Sequence, residues 1–116
     1  MPAMHVRLTF EVSSEQSVEK VFEAVADALF ELDASNPTLL DADVSATVAK
    51  NLISLAIIGM GESIDAASAN AVSAIRTAIH ASGGATPGWD EEVTPLVQAS
   101  VFKFVEQHSE LAAISA

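Results

Sequence analysis

Val6, Leu8, Phe10 and Val12 alternate with His5, Arg7, Thr9 and Glu11. A period of two predicts a strand with one face on a core and the other open. Past Ser13, Ser14 and Ser17, each able to cap a helix, the period changes; Ser13 with Gln16 has the spacing of a capping box. Val18, Val21, Phe22, Val25, Leu29 and Leu32 recur at helical intervals and predict a helix from Val18 to about Leu32. Asp33-Ala34-Ser35-Asn36-Pro37 ends it, because Asn and Pro turn the chain.

Leu40, Ala42, Val44, Ala46 and Val48 alternate with polar or small residues and predict a second strand. Lys50-Asn51 then reads as a two-residue turn into a third strand, Leu52 to Ile58. That turn pairs Val48 with Ile53, Ala46 with Leu55 and Val44 with Ile57, all on one face, and puts Thr47/Ser54 and Asp43/Ile58 on the other. Gly59-Met60-Gly61 breaks the strand. Ser63 caps a second helix, with Asp65 in its first turn, an apolar stripe of Ile64, Ala67, Ala71, Val72, Ile75, Ala78 and Ile79, His80 in its last turn and Gly83-Gly84 as its stop.

A loop is expected over 83–95. The stretch 95–110 admits two readings. Thr94-Pro95 suits a helix start, and Val97, Val101, Phe104, Val105 and His108 fit helical spacing. The β-propensity of Val101, Phe102, Phe104 and Val105 suits a strand instead. The preceding order β-α-β-β-α favours the strand, which completes an α+β, ferredoxin-like β-α-β-β-α-β sandwich. It consists of a four-stranded antiparallel sheet of order 4-1-3-2 with two helices on one face. The first and third strands are then central neighbours, read here as parallel, and residues 107–116 are expected to fray.

The length of 116 residues fits one domain over 1–116, and a hydrophobic fraction of 50% supplies a core. With 16 acids against 5 bases and a net charge of −11, the chain lacks the clustered Lys and Arg that nucleic acid or an anionic membrane requires. The absence of Cys excludes disulfides, thiolate metal sites and a Cys nucleophile. The amino terminus reads as a strand and not as an export signal, and the most apolar run, Leu52 to Met60, is too short to span a bilayer. A cytoplasmic location is the expectation.

Ala74-Ile75-Arg76-Thr77-Ala78-Ile79-His80-Ala81, the following Gly83-Gly84-Ala85-Thr86-Pro87-Gly88-Trp89, and Asp41-Ala42-Asp43-Val44-Ser45-Ala46 resemble small, Ala-rich, acidic proteins of actinobacteria with a ferredoxin-like fold. The resemblance covers residues 38–90. It implies a fold and a lineage and carries no catalytic residue.

Glu19, Glu23, Asp27 and Glu31 stack at four-residue spacing on the first helix. They read as a solvated face, or as a ridge for a basic protein partner. Gly59 and Gly61 lack the third Gly of a dinucleotide fingerprint and the Lys of a phosphate loop. His5, His80 and His108 lie on different elements without metal-ligand spacing, so no metal and no cofactor are indicated. The open sheet face is the most informative surface. His5, Arg7, Thr9 and Glu11 lie beside Leu52, Ser54, Ala56 and Ile58, a mixture too apolar for bare solvent. Trp89, after a Pro-Gly turn, reads as a core cap, or else as an interface anchor.

His5, Arg7, Ile58 and Trp89 are therefore the ligand or interface candidates. Three functional classes fit: a non-catalytic self-associating module, most simply a homodimer through the sheet face or edge strand; a small-molecule-sensing domain with a ligand at a dimer interface near Arg7; and a small enzyme of the dimeric α+β barrel type, for which His5 with Glu11 is the visible start.

Overall fold

The computed structural model of the chain describes residues 2–85 and 100–112. Its elements run β1 (Ala3–Ser14), α1 (Val18–Ser35), β2 (Leu39–Thr47), β3 (Leu52–Met60), α2 (Ile64–Ala81), β4 (Gly84–Ala85) and β5 (Ser100–Leu111). The sheet order is β2-β3-β1-β5-β4. Each of the first four strands is antiparallel to its neighbour, and β4 adds two residues parallel to the start of β5. This is an α+β, ferredoxin-like fold. The stretch with two readings is a strand from Ser100 onward, and it runs through Leu111, into the residues expected to fray.

The central pair, β1 and β3, is antiparallel, with Val6 opposite Ile57 and Phe10 opposite Ile53, not parallel as expected. The physical reason lies in the connections. The crossover through α1 makes β1 and β2 parallel but leaves a gap between them, and the β2–β3 hairpin fills the gap with a strand of opposite direction. Alternation survives this correction, since directly opposed residues still share a face.

The core lies between the sheet and the two helices. Val6, Leu8 and Phe10 from β1, Ile53, Leu55 and Ile57 from β3, Val25 and Leu29 from α1, and Ile75 and Ile79 from α2 are fully buried together with Phe102 of β5. Phe10 meets Phe102 and Phe104 edge-to-face, with ring centroids 5.8 and 6.0 Å apart, which locks β5 to β1. Ile64, read as part of the α2 stripe, is exposed at the first position of the helix, before the stripe reaches the sheet.

Both helices are capped as their sequences imply. Ser17 accepts from the Lys20 amide and Ser63 from the Ala66 amide. Ser13 is still in β1, so the alternative capping box is not used. Asn36 ends α1, and Gly83 takes a left-handed φ of 90° just past α2.

The β2–β3 hairpin differs from the expected register by two residues. Thr47 opposes Leu52 and Val44 opposes Leu55, so the loop is Val48 to Asn51, a 3₁₀ turn closed by Asn51 at φ 55°. A two-residue primed turn needs positive φ at both positions, and Lys50 has no means of taking it cheaply. Because the slip is even, Val44 and Ala46 keep their face. Val48 moves into the loop and is exposed. A second irregularity, between Leu40 and Asp43, has Asp41 at φ 52° and the Ala42 amide donating to Asp33. It swaps faces at the start of β2: Leu39 enters the core, while Leu40 opposes Ile58 on the open side.

Nor does Gly59 break β3. It pairs with Met4 and Leu39 inside the sheet, and the strand ends at Met60. A Cβ on Gly59 would collide with the Ala67 carbonyl oxygen and lie 2.7 Å from the Ala71 nitrogen of α2. Ala67, Ala71, Ala74 and Ala78 are all buried along the same helix, so α2 lies unusually close to the sheet. Gly59→Ala is expected to lower stability in urea unfolding by about 3 kcal/mol, as over-packing against backbone does. Ser63→Ala is expected to cost only about 1 kcal/mol, the value of one cap.

Candidate functional site

Rows of directly opposed residues define the open face across β2, β3, β1 and β5. One row is Leu40, Ile58, His5 and Glu110; the next is Asp43, Ala56, Arg7 and His108; the third is Ser45, Ser54, Thr9 and Glu106; the fourth is Thr47, Leu52, Glu11 and Lys103. Three of the four sequence candidates therefore converge, with His5 directly beside Ile58 and Arg7 one row away. Trp89 lies outside the described residues.

The face is less apolar than β1 and β3 alone imply. Arg7 and Asp43 flank Ala56 and meet across it at 3.4 Å, and Ala56 beneath them is fully buried. Thr9 and Ser54 share a hydrogen bond of 2.7 Å in the middle of the sheet. On the far side β5 contributes a charged stripe, Lys103, Glu106, His108 and Glu110, with His108 and Glu110 3.9 Å apart. Leu40, Leu52 and Ile58 remain half-buried among these polar neighbours.

His5 brings an unsatisfied polar atom to the face. Its Nδ1 is buried and has no hydrogen-bond partner among the described residues. His5 and Glu11, the start of an acid–base pair in the enzyme reading, are six residues apart on one strand, roughly 20 Å at the rise of an extended chain. They do not form a common site. Among the described residues no group of three or more His, Asp or Glu is placed to hold a metal ion. Glu19, Glu23, Asp27 and Glu31 are all exposed along α1.

Sequence reasoning named an edge strand as a possible interface but did not single out the outer edge of β5. The strand is as long as β1, yet β4 pairs with it only at Ser100 and Val101, and no described strand lies along the edge beyond them. Val105 is 50% exposed and Leu111 65%, more than any apolar residue of the open face. The opposite edge, β2, is interrupted by the irregularity at Asp41 and carries Asp41 and Asp43, features that discourage strand addition. A signal for β5 existed in the alternation Lys103, Glu106, His108, Glu110, but one bulge hides it. Phe10 opposes Phe104 while Thr9 opposes Glu106, so Val105 is an extra residue.

No protein-family model matches the chain, and no curated protein was found to be similar to it. No helix among the described residues is long and apolar enough to cross a membrane.

The Arg7–Asp43 pair is part-exposed and orders the face more than it stabilises the fold. A double-mutant cycle with Arg7→Ala and Asp43→Ala is expected to give a coupling below about 1 kcal/mol, read by thermal or urea unfolding.

Proposed function

We propose that this protein is a non-catalytic, self-associating interaction module that works as a homodimer in the cytoplasm. The observation that carries the reading is the outer edge of β5, a long strand with exposed Val105 and Leu111 and only two residues covered by β4. An edge with exposed apolar side chains is a template for another strand. The open face is the less favoured surface, because the Arg7–Asp43 bridge and the charged stripe of β5 already make it compatible with water.

Sedimentation velocity at micromolar concentration tests the proposal. A dimer is expected, and Ile58→Glu, which places a charge on the open face, is expected to leave it intact. A wild-type monomer would refute self-association. A dimer abolished by Ile58→Glu in a still-folded chain would move the interface to the open face.

The buried, unpartnered Nδ1 of His5 favours a second reading, a sensing domain in which a small molecule with a hydrogen-bonding group meets His5 beside Ile58 and Arg7. A ligand that binds the native state raises the melting temperature. In this reading some small carboxylate or amide does so, and His5→Phe removes the effect.

A further inference from the structure

We infer that β5 pairs antiparallel with β5 of a second copy, about a two-fold axis perpendicular to the sheet and passing at Gln107. This pairing presupposes the self-association proposed above and specifies its surface and register. Among the described residues only β4 pairs with this edge, at Ser100 and Val101, which leaves an added strand the stretch from Phe102 to Leu111. A two-fold axis of this kind keeps each residue on its own face, so only residues that share a face can oppose one another. The faces of β5 are known from its pairing with β1. Lys103, Glu106, His108 and Glu110 lie on the open side, and Phe102, Phe104, Gln107, Ser109 and Leu111 on the helix side.

With the axis at Gln107, Glu106 faces His108 of the second copy. Val105 is the bulged residue, so Phe104 and Val105 together face Ser109 of the second copy. Lys103 then faces Glu110 and Phe102 faces Leu111. Every pairing keeps its face, and the stretch from Phe102 to Leu111 is used from end to end. By symmetry each contact occurs twice. Two ammonium–carboxylate pairs and two imidazole–carboxylate pairs line the open side, and Leu111, the most exposed apolar residue described, is placed beside Phe102 of the other copy.

Neighbouring registers fail on charge or on length. An axis at His108 sets Glu106 against Glu110 twice. An axis at Glu106 sets that carboxylate against its own copy and demands the edge of Val101, which Ala85 holds. An axis at Ser109 matches His108 with Glu110 but leaves the stretch before Gln107 unused. Charge pairing of this kind selects register and orientation more than it adds affinity. That matters in a chain of net charge −11, whose copies repel at long range.

The chain has no Cys, so single-Cys variants report the register directly. At the axis, the two copies of residue 107 have Cα atoms about 5 Å apart, within disulfide reach. The two copies of residue 109 are offset along the strands by about 13 Å. Under mild oxidation Gln107→Cys is expected to form a disulfide-linked dimer rapidly and Ser109→Cys to do so slowly. Lys103→Glu and Glu110→Lys are each expected to weaken the dimer by about tenfold, a change of about 1.4 kcal/mol, and the double exchange to restore it. A wild-type dimer with no preference for Cys at 107 and no rescue by the exchange would overturn this register while leaving self-association standing. A wild-type monomer would overturn both.

Discussion

The structure depends on the double pairing of β1, which is antiparallel to β3 on one side and to β5 on the other along nearly its whole length. One face of β1, with Val6, Leu8 and Phe10 fully buried, supplies the middle of the core. Its ladder fixes the rest. Ile53, Leu55 and Ile57 fall on the same face by register, Gly59 is carried to the point where α2 approaches closest, and Phe102 is drawn into the core by its edge-to-face contact with Phe10. β5 is long because β1 is long. Its first residues reach the core, while its last residues extend as a charged, partly apolar edge.

The two halves of the strand therefore differ in burial. Phe102 and Phe104 hold β5 to β1, and the stretch beyond the Val105 bulge contributes little to the core. The helices lie elsewhere: α1 packs on β2, and α2 packs on β3 and β1 and reaches β4. A bulge at this point lets the aromatic pair face inward and lets Glu106, His108 and Glu110 line up on the open side. The other edge of the sheet carries a left-handed Asp41 and two carboxylates, where β5 has the Val105 bulge and a charged stripe of its own. What sets the β5 edge apart is its exposed Val105 and Leu111, and the proposed self-association rests on them.

Much of the fold was legible because both periods are clean. The alternation from Val6 to Val12 and the helical stripes through Val25, Leu29, Ile75 and Ile79 match what is buried. The apolar stripe of α2 from Ala67 to Ile79 likewise faces the sheet, with Ala67, Ala71, Ala78 and Ile79 fully buried. What failed was local backbone chemistry. Nothing in Asp41-Ala42 announces a face swap, since the positive φ of Asp41 is set by the tertiary fit and by the Asp33 contact to the Ala42 amide. Lys50-Asn51 supplies one residue suited to positive φ where the short turn needs two, and the chain adopts the longer loop. The candidate site was legible for β1 and β3, whose outward residues share one face as expected, though in antiparallel order. It was not legible for β5, because the bulge shifts its alternation by one residue and the charged stripe then falls out of phase with the aromatic one.

The most direct test of the account is amide hydrogen exchange along β5 as a function of protein concentration. Strand addition protects the outward-pointing amides between Phe102 and Leu111 when the protein is concentrated and releases them on dilution, while the β2 edge exchanges at the same rate throughout. Outward amides of β5 that exchange rapidly at every concentration, or concentration-dependent protection confined to β2, would contradict the claim that this edge is where the protein meets its partner.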